Sequence, residues 1–459
     1  MLPECWRKSG RVMRTSRREF LLLAAAAAVL RGEDRPKRDM ISRSVRPEDL
    51  EMPLSGFADY ITPIEHFFVR AHVYVPTVDV SQWRLSVGGS VTTPLTLAID
   101  DLKKIPAVEL VSVLECAGNG RAFYQPPVPG LQWGHGAVGN ARWRGVRLAD
   151  VLKRAGLKAS AREILFDGAD VPLGTMPDFQ RSLPLAKALD PNTLLAYEMN
   201  GETLPVKHGF PLRVVVPGWA GDSWTKWLTS IRVLDQEHDG FWMKSAYRHP
   251  GRPVAPGVAV PLDRMQPVTN LRVKSVIASP LDGAQIDTGK STTIRGVAWG
   301  TDPITSVEVS VDGGRVWKPA ALKANQRTRF GWRQWEFAWT PQQASYYSIL
   351  ARARDASGNT QPLDQEWNQS GYLWNVVPRV HVHVGDGVPT PAITSQDYAP
   401  LRPPAAFGNC LICHNDDVIR QQRLTRAQWT AEINKMTGWG ARVDDAARDT
   451  FLDYLEKLR

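Results

Sequence analysis

The chain of 459 residues is long enough for several domains, and its positive charge is concentrated at one end. Residues 1–46 hold 12 Lys and Arg against 5 Asp and Glu, so the other 413 residues carry only two of the nine net positive charges. The arginines beyond residue 46 form no stripe and no nucleic-acid-binding motif. We therefore expect no nucleic-acid partner.

The basic segment 1–46 has the layout of an export signal. Arg17 and Arg18 precede an apolar run at 21–30, which is the order of a twin-arginine signal. The run is too short to cross a bilayer comfortably, so no stable membrane span is expected. The alternative is an alanine-rich helix with two chance arginines. The signal predicts a periplasmic protein that is exported by the twin-arginine route after it has folded.

Residues 47–265 alternate short apolar strands with short helices, which is typical of a mixed α+β domain. The clearest strand candidates lie at 110–114, 212–216 and 230–234, and a helix candidate lies at 148–155. We therefore look for a cofactor site in this first module.

Cys116 follows the strand candidate at 110–114 and stands in a glycine-rich turn, ECAGNGR at 115–121. A lone cysteine is usually an inert core residue. Here, however, the glycines permit close approach of a ligand, and a thiolate is a soft ligand for a heavy metal. The turn makes Cys116 a candidate metal ligand.

Residues 266–384 lose the helical periodicity of the first module. Five strand candidates follow at fairly regular spacing, with turn signals at 312–314 and 357–359: 271–277, 293–299, 306–311, 334–339 and 346–352. This pattern predicts an immunoglobulin-like β-sandwich. Alternation along residues 380–384, after the fifth strand candidate, predicts that His381 and His383 share one exposed face.

The carboxyl-terminal part begins with a linker at 385–404 that holds five prolines. A small all-α module is predicted at 405–459. Its first long helix starts at a capping box, Thr425 to Gln428, and runs to Met436. A second helix follows Asp444 and Asp445 and ends near residue 455.

The run CLICH at 410–414 has the pattern of a c-type haem attachment site. Cys410 and Cys413 can bond the haem vinyl groups, and His414 can bind the iron. A zinc site is the alternative, although it would need two more ligands nearby. For the sixth iron ligand we favour Met436, which could instead be a packed core methionine.

Seven runs of the first module occur in an order that resembles the sulfite oxidase family of molybdenum enzymes. They are FFVRAH at 67–72, ECAGN at 115–119, GLQW at 130–133, ARW and GVRL at 141–148, LAYEMNG at 195–201, HGFPLRVVVPG at 208–218 and KWL at 226–228. The resemblance extends to residue 384, and residues 266–384 resemble the dimerisation domain of that family. The module at 405–459 is similar to the small c-type cytochrome partners of bacterial sulfite dehydrogenases.

The resemblance implies a cofactor, molybdenum–molybdopterin, and a role for particular residues. Cys116 would bind the molybdenum through its thiolate. The pterin and its phosphate would be held by His72, His208, Arg213 and Lys226, since a buried anionic cofactor needs cationic donors. The substrate pocket would be formed by Arg70, Arg121, Trp133 and Tyr247. Arg70 stands within an apolar run, so an oxyanion or a carboxylate partner is expected for it.

The implied function is oxidation of sulfite to sulfate, with electrons passing through haem c to an external c-type cytochrome or copper protein. The implied assembly is a homodimer. Two departures weaken the match, because the arginine expected near Ser370 is absent and Pro129 stands where the family has a lysine. Oxidation of a sulfane-type sulfur compound therefore stays open. So do a molybdenum reductase and a haem electron-transfer protein with an inactive molybdenum site.

Overall fold

The structure is a computed structural model that describes residues 36–326, 328–386, 403–404 and 407–458. The export signal and most of the proline-rich linker lie outside these residues, so both stay predictions. In the part that is described, no helix is both long and apolar enough to cross a membrane.

The first module is a mixture of short strands and helices, as its sequence predicts. Its strands are β1 (Ile41–Val45), β2 (Glu48–Glu51), β3 (Leu85–Gly89), β4 (Leu95–Leu97), β5 (Ala107–Glu115), β6 (Val138–Arg147), β7 (Glu163–Gly168), β8 (Arg181–Pro184), β9 (Leu194–Met199), β10 (Glu202–Thr203), β11 (Arg213–Val215), β12 (Leu228–Leu234), β13 (Arg248–Pro250) and β14 (Met265–Pro267). Its α-helices are α1 (Ile99–Lys103), α2 (Leu148–Ala155), α3 (Leu185–Ala188) and α4 (Phe241–Lys244).

Two five-stranded sheets form the body of this module. One has the order β10-β9-β6-β5, with β11 also paired to β9, and the other has the order β4-β3-β12-β7-β8. Helix α2 buries Leu148, Val151, Leu152 and Ala155, which recur at helical spacing and join the core between the sheets. This packing fixes the end of β5, where Cys116 lies.

The second module is a β-sandwich of a four-stranded and a five-stranded sheet. The first has the order β15-β17-β21-β20 and the second has the order β16-β23-β22-β18-β19. The strands are β15 (Lys274–Ser279), β16 (Ala284–Ile286), β17 (Thr292–Trp299), β18 (Ile304–Ser310), β19 (Lys318–Pro319), β20 (Ala321–Leu322), β21 (Arg333–Trp339), β22 (Ser345–Asp355) and β23 (Arg379–Val384). Each of the five strand candidates of the sequence overlaps one of these strands.

One expectation for the sandwich was wrong. His381 and His383 do share a face, because both rings pack against Tyr346, but His383 is only 4% exposed. His383 lies one residue before the end of β23, where β16 pairs alongside in parallel. The neighbouring strand and Tyr346 leave only His381 in contact with solvent.

The first module and the sandwich share a hydrophobic cluster, so they pack as one body. Phe57 and Val113 from the first module meet Trp299 and Trp332 from the sandwich in this cluster. Large aromatic side chains contribute much of the apolar area that such a contact buries.

The carboxyl-terminal module is all-α in the residues that are described. Its helices are α5 (Phe407–Cys410), α6 (Asp417–Arg420), α7 (Arg426–Gly438) and α8 (Asp445–Glu456). The predicted capping box is present, since the Thr425 hydroxyl accepts from the Gln428 N–H and the Gln428 side chain accepts from the Thr425 N–H. A core of its own, with Phe407 packed on Phe451 and Tyr454, holds the helices together.

Candidate active site

A deep cavity opens in the first module among the loops that follow β5 and flank β11. It encloses an empty volume of about 710 Å³, open mouth included. The side chains on its walls that can bind or react are Arg70, His72, Cys116, Asp170, Lys207, His208, Arg213, Asp222, Lys226 and Tyr247. The fold therefore brings seven of the predicted site residues, which are spread over positions 70–247, to one cavity.

Cys116 lies one residue beyond β5 and lines the cavity. Its N–H donates to the Ala137 carbonyl and its carbonyl accepts from the Asn119 N–H, both at 2.9 Å. Burial raises the pKa of the Cys116 thiol, and the positive charges of Arg121 and Arg70 oppose that rise. Such a thiol is neutral by itself but is well placed to ionise when a metal cation binds to it.

Glu115, the last residue of β5, holds the turn that carries Cys116. This buried carboxylate accepts hydrogen bonds from Asn119, from Lys274 and from Trp299. Lys274 and Trp299 belong to the sandwich, and both are buried. The sandwich therefore supports the thiol from the side opposite the cavity.

Arg213, which is buried, and Lys226, which is half-buried, have only backbone carbonyls as hydrogen-bond acceptors among the residues described. Arg213 donates to the carbonyls of His208 and Trp224 at 2.9 and 3.1 Å, and Lys226 donates to two carbonyls at 2.9 and 3.1 Å. Burial lowers the pKa of Arg213 to about 9. Burial and the charge of Arg213 lower the pKa of Lys226 to about 7. Among the residues described, neither cation has a carboxylate partner within ion-pair distance.

His208 lies on the cavity wall beside these two cations. Burial, together with the charges of Lys37 and Lys226, lowers the pKa of His208 well below its usual value. Lys37 Nζ lies 2.7 Å from His208 Nε2, so a residue of the basic segment 1–46 reaches the cavity wall. A bound anion would relieve the mutual repulsion of these groups.

Arg70 has a carboxylate partner, which is one of the two partners that its apolar surroundings suggest. Asp49, on β2, lies 3.3 Å from Arg70 Nη1 and also accepts from the Ala71 N–H at 3.0 Å. Burial raises the pKa of Asp49 to about 6, although the attraction of Arg70 opposes it. Asp49 thus orients Arg70 at the edge of the cavity.

His72 and Tyr247 form a hydrogen-bonded pair, with Nε2 and the phenolic oxygen 2.7 Å apart. Burial, then Arg70, lowers the pKa of His72 well below its usual value, and burial raises the pKa of Tyr247 well above 10. Both groups are therefore neutral at neutral pH. Tyr247 also has a φ of 52°, which is uncommon outside glycine and often marks a functional position.

Arg121 and Trp133 do not line this cavity, in contrast to the other predicted pocket residues. Arg121 lies behind the Cys116 turn, where its Nη1 donates to the Leu131 carbonyl at 3.1 Å and its guanidinium covers the Tyr372 ring. Trp133 is fully buried, and its carbonyl accepts from the Ala122 N–H. Both residues support the wall, and their predicted contact with substrate stays a prediction.

The sequence reasoning missed a buried ion pair at the cavity, formed by Arg181 and Asp222. Arg181 Nη2 lies 2.5 Å from Asp222 Oδ2, and the guanidinium covers the Tyr247 ring at 5.3 Å. Burial raises the pKa of Asp222 to about 6 against the pull of Arg181. The only signal available was position, because Asp222 falls between the runs at 208–218 and 226–228.

The cavity has the donors that an anionic molybdenum cofactor needs. Arg213 and Lys226 supply positive charge and N–H donors with no carboxylate in ion-pair contact among the residues described, neutral His208 adds a ring nitrogen, and Cys116 supplies one soft thiol. Thr225 adds a buried hydroxyl for which the described residues offer no partner. These residues fit molybdopterin bound through its phosphate, with the metal on Cys116.

The residues of the CLICH run also fit their predicted group. Cys410 is the last residue of α5, Cys413 is exposed, and neither forms a disulfide. His414 Nδ1 lies 2.8 Å from the Asn415 carbonyl, which leaves Nε2 available for iron. Across the described ranges, no group of three His, Cys, Asp or Glu side chains is placed to bind a metal ion. That finding offers a zinc site no further ligands there.

Comparison with known proteins agrees with this geometry. The oxidoreductase molybdopterin binding domain matches residues 72–242, and the Mo-co oxidoreductase dimerisation domain matches residues 265–385. The chain is 33% identical to Arabidopsis thaliana sulfite oxidase over 74% of its own length and 92% of the plant protein. It belongs to the sulfite oxidase family of molybdopterin oxidoreductases.

Two further relatives show how much of the chain shares the family's sequence and fold. Mouse mitochondrial sulfite oxidase is 40% identical over 74% of the chain, and the match spans 65% of the mouse protein. The crystal structure of the sulfane dehydrogenase SoxCD from Paracoccus pantotrophus superposes with a TM-score of 0.64 at 25% identity. That match covers 82% of this chain and 93% of the SoxCD chain. The molybdopterin and dimerisation modules thus have the expected fold.

Proposed function

We propose that this protein is a periplasmic sulfite dehydrogenase that oxidises sulfite at a molybdenum–molybdopterin centre and passes the electrons to its own c-type haem. The reaction converts sulfite and water to sulfate, two protons and two electrons. The observation that carries the proposal is the meeting of Cys116 with the cations Arg70, Arg213 and Lys226 in one cavity.

The chain's own residues would bind and orient the substrate. Cys116, His208, Arg213 and Lys226 would hold a molybdenum–molybdopterin group, which would supply the oxygen atom and accept the two electrons. Arg70, oriented by Asp49, provides a cation for the sulfite dianion. The attraction between the two charges is stronger in this cavity than in water, because the cavity is enclosed by protein. Tyr247 is neutral and held by His72, so it can donate its O–H to an oxyanion.

Anaerobic titration of the purified protein with sulfite tests this function. We expect the haem spectrum to change from oxidised to reduced, with sulfate as the product and at least one sulfite consumed for every two haems. Metal analysis of the same material checks for molybdenum. Haem that stays oxidised in protein that contains molybdenum would contradict sulfite oxidation, and absent molybdenum would favour the inactive-site alternative.

Oxidation of a sulfane sulfur compound is a second candidate. Its support is the superposition on the sulfane dehydrogenase SoxCD, together with the absence of the family arginine near Ser370. In the segment where that arginine is absent, Gln369 Nε2 donates a hydrogen bond to the Val260 carbonyl and Gly371 packs against Arg121. Parallel titrations with sulfite and thiosulfate separate the two substrates, because the true substrate should reduce the haem at a far lower concentration.

The haem and its acceptor are also part of the proposal. Free Cys410 and Cys413 beside His414 support covalent haem c. Cys410→Ala and Cys413→Ala together should give protein without a c-type spectrum after denaturation in pyridine and alkali. An external c-type cytochrome or copper protein would collect the electrons, and either should be reduced by the protein only when sulfite is present.

Export and assembly complete the proposal. Arg17→Lys with Arg18→Lys should leave the protein in the cytoplasmic fraction if the twin-arginine route exports it. The match of the dimerisation domain to residues 265–385 supports a homodimer. Light scattering should give twice the mass of the chain over a wide concentration range, and a constant monomer mass would contradict the dimer.

A further inference from the structure

The carboxyl-terminal module makes two hydrogen bonds to the loop 128–136 of the first module. Gln421 Oε1 accepts from the Gln132 N–H at 2.8 Å, and Gln422 Oε1 accepts from the Gly130 N–H at 3.2 Å. The loop lies almost 300 residues upstream in sequence. These contacts need neither haem nor molybdenum, since they join protein to protein.

The geometry of the two glutamines is fixed on their own side. Gln421 Nε2 donates to the Asp417 carbonyl at 2.9 Å, and Gln422 Nε2 donates to the Val418 carbonyl at 2.8 Å. Gln421 Nε2 also donates to the Arg43 carbonyl on β1 of the first module at 2.8 Å. With each nitrogen engaged, each oxygen must face the loop. Gln422 is also 6% exposed, so its side chain has little freedom to turn away.

The same loop holds Arg121. Its Leu131 carbonyl accepts from Arg121 Nη1 at 3.1 Å, and a Cβ on Gly130 would come within 2.9 Å of that nitrogen. Gly130 has a φ of 110°, so no other residue could easily bring the backbone as close to the guanidinium. Displacement of residues 130–131 would therefore move Arg121.

The far end of the loop is anchored within the first module. Glu51 accepts from the N–H groups of Gly134 and Gly136, both at 2.9 Å. In the described structure, the N–H groups of Gly130 and Gln132 have their acceptors on the carboxyl-terminal module alone. The backbone N–H groups of Gly130 and Gln132 thus depend on the carboxyl-terminal module, although the packing of Val128 and Leu131 and the Arg121–Leu131 hydrogen bond also hold this half of the loop.

We propose that the carboxyl-terminal module is a structural part of the substrate site, in which Gln421 and Gln422 are positioning residues that fix loop 128–136 and, through Leu131 and Gly130, hold Arg121. This inference rests on the proposed function only in that Arg121 is taken to attract the substrate oxyanion. The claim that the two glutamines hold the loop depends only on the hydrogen bonds described above.

The test replaces both glutamines in the full-length holoprotein. Gln421→Met with Gln422→Met keeps the size of the side chains but removes both acceptors. Gln421→Glu with Gln422→Glu restores an acceptor oxygen at each position. The matched control is Thr175→Ala, which removes another hydrogen bond to the same module, from Thr175 Oγ1 to the Gly438 carbonyl at the end of α7, at 3.0 Å.

Hydrogen exchange of the Gly130 and Gln132 amides is the first measurement, and it does not depend on activity. We expect exchange about tenfold faster in the methionine variant, near-parent exchange in the glutamate variant, and no change at these amides in the control. Unchanged exchange in the methionine variant would overturn the proposal.

Anion affinity is the second measurement. The KM for sulfite and the dissociation constant of sulfate should each rise about five- to tenfold in the methionine variant with kcat nearly constant, because the charge of the guanidinium, behind the cavity wall, attracts the anion in the ground state and in the transition state alike. Sulfate binding reports on Arg121 even if sulfite proves not to be the substrate. An equal rise in Thr175→Ala, or loosened amides without any loss of sulfate affinity, would refute the positioning role.

Discussion

Buried Arg213 and half-buried Lys226 line the cavity of the first module, whereas Arg426 lies at the surface of the carboxyl-terminal module. Arg426 contacts three carboxylates, those of Asp449, Asp453 and Glu456, at 2.5 to 3.1 Å. The two cavity cations have no carboxylate partner among the residues described. Exposed charges are satisfied by water and by flexible neighbours, while buried ones require a fixed counter-charge. The comparison teaches that the missing counter-charge belongs to a ligand.

The largest expected effect breaks the cavity and spares the surface module. Cys116→Ser replaces a soft thiolate with a hydroxyl that ionises poorly, so sulfite-dependent haem reduction should fall about a hundredfold or more. The c-type spectrum and reduction by dithionite should persist, because the carboxyl-terminal module has its own core. Sulfite reduction of the haem at the parent rate would remove Cys116 from the site.

A second prediction compares a buried ion pair with an exposed one. Asp222→Asn leaves Arg181 buried without a counter-charge and should lower the free energy of unfolding by about 3–5 kcal/mol. Asp453→Asn, the control, breaks one exposed contact of Arg426 and should leave the urea midpoint close to that of the parent.

A double substitution sharpens this result. Arg181→Met with Asp222→Leu removes both charges, and most of the lost stability should return, since burial already disfavours the Asp222 carboxylate. If Asp222→Asn and Asp453→Asn had equal effects, burial would not distinguish the two pairs.

A third prediction concerns Lys226 in protein produced without molybdopterin. Lys226→Met removes an uncompensated, half-buried charge and should stabilise this protein by about 1–2 kcal/mol at pH 7. The same change should lower the cofactor content of protein made with molybdopterin present. Thermal unfolding and metal analysis measure the two effects, and a less stable cofactor-free variant would contradict the assignment.

The pH dependence of that stabilisation follows from the pKa of Lys226, about 7 in the folded protein and 10.5 in the unfolded chain. Between these values the unfolded chain binds a proton that the folded protein lacks, so the stability of the parent rises with pH. The advantage of Lys226→Met should therefore be largest below pH 7 and disappear as the pH approaches 10.5.

The smallest expected effect lies in the carboxyl-terminal module. Met436 is half-buried on α7, and Met436→His should keep the haem attached while its reduction potential falls, because imidazole replaces a thioether on the iron. A redox titration followed by absorbance measures the change. An unchanged potential and spectrum would mean that Met436 only packs.

Local patterns predicted much of the fold and part of the site. The capping box at Thr425 marked the start of α7, and the strand before Cys116 was found as β5. Such features depend on neighbours a few residues away, so the sequence displays them directly. Cys116 was identifiable for the same reason, since its strand and its glycine-rich turn are contiguous.

Pairings between distant segments could not be predicted in this way. The sequence indicated that Arg70 needs an anionic partner, but only the fold shows that Asp49 on β2 fills that place. Likewise, alternation suggested an exposed His383, and the neighbouring strand β16 made it buried. These outcomes depend on which strands become neighbours.

The sequence alone determined the division into modules, the thiol of Cys116 and the CLICH run, because each of these is written in adjacent residues. The tertiary structure decided that Arg70 has a carboxylate partner, whereas Arg213 and Lys226 have none in ion-pair contact among the residues described. It also placed Gln421 and Gln422 against the loop that holds Arg121. The physical reason is that a charge or an amide finds its partner across space, and packing of the whole chain sets the distances over which hydrogen bonds and ion pairs act.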